Sequence, residues 1–146
     1  MHAVFLDQQT FNSTIDLAAI AQQVGSLTCY QTTTSEQTLT RCLDADIVIT
    51  NKVFINSNHM DNSEMKLICI TATGTNNVDL VYAKEKNIEV KNVAGYSSSS
   101  VAQVAFSMIF HFVTKLNYYK KYVDEGNWQK SPIFTHIDNP FFELDG

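Results

Sequence analysis

Apolar positions along the chain switch repeatedly between two periods. Ala3–Leu6, Ile47–Thr50 and Met65–Ile70 are short, nearly unbroken apolar runs, the pattern of strands buried on both faces of a parallel sheet. Ser26–Tyr30 and Ile88–Val90 predict two more strands. Between these runs the apolar residues recur at helical spacing. Leu17, Ile20, Ala21 and Val24 predict a helix over Asp16–Val24, stopped by Gly25. Leu39 and Leu43 mark the inner face of a second helix, capped by Thr34 or Ser35. A third is expected over Val78–Lys86, begun by Asn76 or Asn77.

Strands alternating with helices of this length form βαβ units around a parallel sheet covered on both sides. With right-handed crossovers, the simplest arrangement is an α/β domain of the flavodoxin-like, doubly wound kind over residues 1–98. From Ser99 the pattern changes. Val101, Val104, Ala105, Met108, Ile109, Phe112, Val113 and Leu116 trace a broad apolar face at 3.6-residue spacing, and Ala102, Phe106 and Phe110 extend it almost all round. One long helix to about Tyr122 is expected, and it must be buried. A domain of about a hundred residues cannot enclose it alone, so it needs a partner. Beyond Tyr122 an irregular arm is expected, broken by Gly126, Pro132 and Pro140. It carries Trp128, Ile133, Phe134, Phe141, Phe142 and Leu144, each costing roughly 1.5–3 kcal/mol to leave in water. Residues 99–146 therefore read as a helix and a dimerisation arm, with a homodimer formed through 99–144. The four serines at 97–100 read as a turn and cap.

Composition narrows the function classes. The chain's 146 residues suffice for one ordinary domain. A net charge of −5 argues against nucleic acid or an anionic membrane surface as partner. No run reaches the ~18 apolar residues of a membrane span. The opening MHAVFLDQQT has no basic region before a long apolar one and reads as a first strand. Cys29, Cys42 and Cys69 are odd in number and widely spaced, which suits buried free thiols in a reducing cytoplasm better than disulfides or a zinc site. No metal site is expected.

The stretch Lys66–Gln103, KLICITATGTNNVDLVYAKEKNIEVKNVAGYSSSSVAQ, concentrates the candidate chemistry. It places backbone N–H groups and small hydroxyls at the carboxyl ends of parallel strands, where open α/β sheets bind ligands. Gly74 allows close backbone approach, and neighbouring amides can hold a carboxylate in a small nest. The same residues also make an ordinary strand-to-helix turn capped by asparagine, so chemistry alone leaves both readings open. His111 reads as a core or interface histidine inside the apolar helix. His2, His59 and His136 are isolated and expected to be exposed. Arg41, the only arginine, reads as a surface residue, and Asp124–Glu125 as a solvated helix end.

These segments resemble, over essentially the whole chain, the D-isomer-specific 2-hydroxyacid dehydrogenases. TATGTNNVDL is similar to that family's segment ending in Gly-x-x-x-Val-Asp. KNIEVKNVAGYSSSSVAQ resembles its following strand and the start of its long helix, while EGNWQKSPIF and FFELDG resemble its arm and the residues just before its nucleotide-binding strand. Two departures stand out: Gln103 replaces the usual glutamate, and Asn87 the usual glycine before the isoleucine. The resemblance implies that Thr73 and Gly74 bind the substrate carboxylate through their backbone. Lys52 and Val53 would lie on the loop closing over substrate, Ser97 near the substrate, and Ser98 and Val101 near the cofactor. It further implies NAD or NADP in the full-length enzyme and a small 2-hydroxy or 2-keto acid substrate, glycerate or hydroxypyruvate by branch. The family's catalytic arginine, glutamate and histidine follow its glycine fingerprint, so none has a counterpart here. The expectation is an N-terminal portion lacking the Rossmann nucleotide-binding domain, inactive and binding no cofactor alone. The alternative is a non-catalytic binding or dimerisation module of the same fold.

Overall fold

The computed structural model describes residues 1–12 and 14–145; Gly146, which closes both the expected second segment and the FFELDG motif, lies outside them. The chain forms two compact units, residues 1–96 and 97–146.

The first unit is a five-stranded, all-parallel sheet. Its strands are β1 (His2–Phe5), β2 (Ser26–Cys29), β3 (Ile47–Thr50), β4 (Leu67–Ile70) and β5 (Glu89–Asn92), in the order β2-β1-β3-β4-β5. That order is the doubly wound, flavodoxin-like arrangement expected from the sequence. The connecting helices are α1 (Ala18–Val24), α2 (Ser35–Cys42), α3 (Ser57–Asp61) and α4 (Leu80–Glu85). Alternate residues of the central strands feed two cores. Val4, Val48, Ile68 and Ile70 pack with Cys42, Ala45, Met60, Ala83 and Ile88 from α2, α3, α4 and the segments that follow them. Ala3, Phe5 and Ile49 pack with Val24 of α1 on the opposite face.

Several local expectations are corrected. The short α3 follows no strong apolar period and was not expected from the pattern. The inner face of α2 is Thr38 and Cys42, and Leu43 is exposed, because residues four apart share a helix face and Leu43, one position past Cys42, is rotated off it. Helix α4 is capped by Asp79, whose carboxylate accepts the Tyr82 N–H at 3.0 Å; Asn77 is occupied elsewhere. Of the three free cysteines only Cys42 is fully buried, which pushes its thiol up to about 12, while Cys29 is exposed.

The second unit holds α5 (Ser98–Val113), α6 (Leu116–Asp124) and α7 (Asn127–Lys130). One continuous helix to Tyr122 is not what forms. Lys115 adopts a left-handed conformation with φ 51°, which no helix interior tolerates, and the chain restarts as α6. Ser98–Ser100 are the first turn of α5 rather than a turn before it. The expected irregular arm starts later, after the single turn of α7. Part of it folds back on its own unit. His136 stacks on Tyr122 at 4.2 Å, Tyr119 Oη donates to the Asn139 carbonyl at 2.7 Å, and the Phe142 N–H donates to the Val113 carbonyl at 3.2 Å. Ile133, Phe134, Phe142 and Leu144 remain exposed, as do Val101, Val104, Phe106 and Phe112 of α5. Lys120–Asp124 and Lys121–Glu125 pair one turn apart on an exposed surface, so the Asp124–Glu125 end is solvated as expected.

Candidate functional site

The carboxyl edge of the sheet is organised by a residue that carries no motif. Asp7 lies two residues past the end of β1 and is only 5% exposed. Its carboxylate accepts the N–H of Asn51 at 2.9 and 3.0 Å, the N–H of Lys52 at 2.7 Å and the hydroxyl of Thr50 at 3.3 Å. Thr50 Oγ1 in turn accepts the Val53 N–H at 3.0 Å. A carboxylate is an acceptor with room for several donors, and here it gathers the start of the loop after β3. Lys52 and Val53 thus have their backbone fixed while the Lys52 side chain stays exposed.

The loop after β4 is tied to the same place by Asn77. Its side-chain amide donates to the Val53 carbonyl at 3.1 Å, and its own carbonyl accepts the Ile55 N–H at 2.9 Å. Further along the edge, Thr73 Oγ1 donates to the Val93 carbonyl at 2.9 Å, and Asn92 Nδ2 donates to the Thr73 carbonyl at 2.7 Å. Both ends of the 73–77 turn are therefore held. The N–H groups of Thr73 and Gly74 donate to no protein acceptor among the described residues, and both residues are exposed. A Cβ on Gly74 would approach Asn76 Oδ1 at 3.3 Å, close enough that the exposed Asn76 side chain would have to shift by a few tenths of an ångström. Two free amides on a braced turn can orient a carboxylate or another small oxyanion.

Lys52, Val53, Thr73 and Gly74 thus share one edge, at the ends of the adjacent strands β3 and β4. Ser97, Ser98 and Val101 belong to the second unit. Ser97 precedes α5 and is half-buried, Ser98 is the first residue of α5, and Val101 is 63% exposed. Asp7 and Asn77 are the residues sequence reasoning missed. The only signals were an acid at the end of an apolar run and the second of two asparagines.

His59, expected on the surface, is buried, whereas Arg41 stays at the surface but is not free. His59 is 8% exposed, and its Nδ1 accepts the Asn56 N–H at 3.1 Å; burial pushes its pKa down. Arg41 lies with its guanidinium 3.9 Å from the Tyr30 ring centroid and donates to the Thr32 carbonyl and Thr33 hydroxyl, both at 2.6 Å. His2 and His136 are half-buried rather than free: His2 Nε2 lies 3.0 Å from Thr28 Oγ1, and Tyr118 Oη lies 2.7 Å from His136 Nε2. Among the described residues no group of three or more His, Cys, Asp or Glu could hold a metal ion. None of the helices described is long and apolar enough to cross a membrane.

Comparison with known proteins identifies the family. Relatives include a Haemophilus influenzae protein assigned to the 2-hydroxyacid dehydrogenases, 40% identical over all of this chain and 46% of its own length. A hydroxypyruvate reductase of Blautia hydrogenotrophica is 35% identical over 78% of this chain and 36% of its own. A glycerate dehydrogenase of Methylorubrum extorquens is 29% identical over 98% of this chain and 45% of its own. The chain thus spans about half the length, or less, of these relatives. Among solved structures, an acyclic imino acid reductase in complex with NADPH and D-Arg matches 97% of this chain and 44% of its own, at TM-score 0.76 and 20% identity. A D-lactate dehydrogenase of Aquifex aeolicus, complexed with NAD and lactic acid, matches 86% of this chain and 38% of its own, at TM-score 0.65 and 24% identity. These structural likenesses speak for the fold alone. The family model described as "D-isomer specific 2-hydroxyacid dehydrogenase, catalytic domain" matches residues 4–134, and the chain belongs to that family.

Proposed function

We propose that the first unit is the substrate-holding part of an NAD(P)-dependent D-2-hydroxyacid dehydrogenase of the glycerate or hydroxypyruvate type. The second unit would supply an interdomain helix and the contacts of a homodimer. The observation that carries this reading is the pair of unengaged amides at Thr73 and Gly74, on a turn braced from both sides in a member of this family. They would bind the acid group of a small 2-keto acid, with Lys52 and Val53 on the adjoining loop and Ser97 as a further substrate contact. Ser98 and Val101 would touch the cofactor from the start of α5. The three free cysteines suit a reducing cytoplasm.

Neither helix beside the Thr73–Gly74 turn favours a dinucleotide. A pyrophosphate rests on open amides at a helix N-terminus. At α3 and α4, the helices after the two strands that carry the site, a side-chain cap already takes one amide of each first turn. Asn56 accepts the His59 N–H at 3.3 Å, and Asp79 accepts that of Tyr82. Asp79 would also repel a phosphate. No hydride step is therefore assigned to this chain, which binds and orients the acid and is inactive by itself.

Amide-shift titration with glycerate or oxalate tests the reading. Saturable shifts at 72–76 are expected, with weak affinity, because no arginine pairs the acid. Calorimetry with millimolar NADH should show no binding, and hydroxypyruvate should not turn over. Shifts confined to other regions, or robust saturable turnover, would overturn it.

A further inference from the structure

A cavity of about 410 Å3 lies beside the Lys52–Phe54 loop, reached also by the segments that follow β1 and β2. Thr73 and Gly74 do not line it. With β2 and β3 on opposite sides of β1, it sits where the strand order reverses, the usual ligand position in open α/β sheets. Its hydroxyls are mostly engaged. Thr10 donates to the Asp7 carbonyl at 2.8 Å, Thr38 to the Thr34 carbonyl at 2.9 Å, Ser35 to the Glu36 carboxylate at 2.9 Å, and Thr33 to the Leu6 carbonyl. With those donors satisfied and Val53 and Phe54 on the wall, the lining is chiefly apolar. Phe54 stays 67% exposed at this loop.

Three side-chain nitrogen donors remain, one of them the Asn56 amide, whose Nδ2 has no acceptor among the described residues. The Lys52 ammonium forms no ion pair among the described residues. His59 accepts at Nδ1, so its proton sits on Nε2, which has no protein partner among the described residues. The Asp7 carboxylate also borders the cavity, but its oxygens are turned to the amides of Asn51 and Lys52. An apolar pocket with a few convergent donors is the general form of a small-molecule site.

We propose that this cavity is a second ligand site, for a monocarboxylate bearing an apolar or aromatic body, which shares the Lys52–Val53 loop with the proposed substrate site but not the Thr73–Gly74 turn. The carboxylate would lie on Lys52 Nζ and His59 Nε2–H, and the body against Val53 and Phe54. The site stands whether or not the turn binds substrate.

The probe is 3-phenylpropionate, titrated against the chain with amide shifts as readout. Saturable shifts are expected at 32–38 and 52–59. Phenylpropanol, without the acid, and acetate, without the ring, should each bind at least about tenfold more weakly. Thr32 and Lys52 are exposed, so Thr32→Phe and Lys52→Ala should fold, as unchanged shifts elsewhere would verify. Thr32→Phe should block the mouth and abolish the response, leaving any oxalate shifts at 72–76 as they were; Lys52→Ala should weaken it about tenfold. Shifts confined to 72–76, no saturation by tens of millimolar, or equal affinity in the wild type and Thr32→Phe would overturn the proposal.

Discussion

Asp7 shows how one buried side chain can determine the shape of a loop it does not belong to. Its oxygens accept two loop amides and one hydroxyl, and removing them strands those donors beside a buried floor. An unsatisfied buried donor costs about 1–3 kcal/mol. Asp7→Ala should therefore lower stability by about 2–4 kcal/mol and broaden the amide resonances of residues 51–53. Asp7→Asn keeps the shape but turns one acceptor into a donor facing other donors, so it should fall between the wild type and Asp7→Ala. Denaturant unfolding measures both, and an Asp7→Ala variant within experimental error of the wild type would show the loop to be held by its own turn. Little of this was legible beforehand. The run Ala3–Leu6 announced a strand and Asp7 its end, yet nothing in the local pattern says that the loop 44 residues onward comes to rest on that carboxylate. His59 was misplaced for a related reason: it sits on α3, a helix that the apolar pattern does not announce.

Where one element hands over to the next, backbone conformation decides. Asn87 joins α4 to β5 with φ 58°, and this is the position where the resemblance led one to expect glycine. The left-handed region explains both residues, since glycine enters it freely and asparagine is the next most tolerant. Asn87 is exposed, so replacing it disturbs little packing. Asn87→Gly should leave stability within about 0.5 kcal/mol, whereas Asn87→Val should cost about 1–2 kcal/mol. Thermal unfolding of the two variants gives the comparison; equal losses would mean that the side chain rather than φ matters. Elements of strong period were legible to within a few residues: β3 occupies the whole of Ile47–Thr50, and α1 ends at Val24 before Gly25. The failures are of another kind. Lys115 breaks an apolar stripe that continues straight through it, because hydrophobic period reports which face is apolar and not whether the backbone stays helical. Helix α3 is too short for period to register at all. In the turn 73–77, the glycine was visible as an opening, but the side-chain ties of Asn77 and Asn92 that brace it were not.

At the scale of the whole molecule, the second unit is at odds with solvent. Val104 is 52% exposed, Phe106 58% and Phe112 76%, all on α5, while Ile133, Phe134 and Phe142 are exposed in the arm. Each large side chain left in water forgoes roughly 1.5–3 kcal/mol, and a stripe of this length exceeds the few hundred Å2 of contiguous apolar surface that soluble monomers usually show. The back-folding of the arm onto α6 relieves part of the problem, since Tyr119 and Phe141 meet edge to face at 5.9 Å. It leaves the α5 stripe bare. A second copy of the chain is the simplest cover, because a two-fold contact buries the same stripe on both sides at once. The chain should therefore sediment as a dimer at micromolar concentration. A charge in the middle of the contact must be desolvated without a partner, so Val104→Asp or Phe112→Asp should shift sedimentation to the monomer. Neither change touches the two cores of the first unit, so the amide shifts of residues 1–96 should remain those of the folded sheet. A monomeric wild type, or a dimer indifferent to both aspartates, would mean that α5 is covered by something other than its own copy.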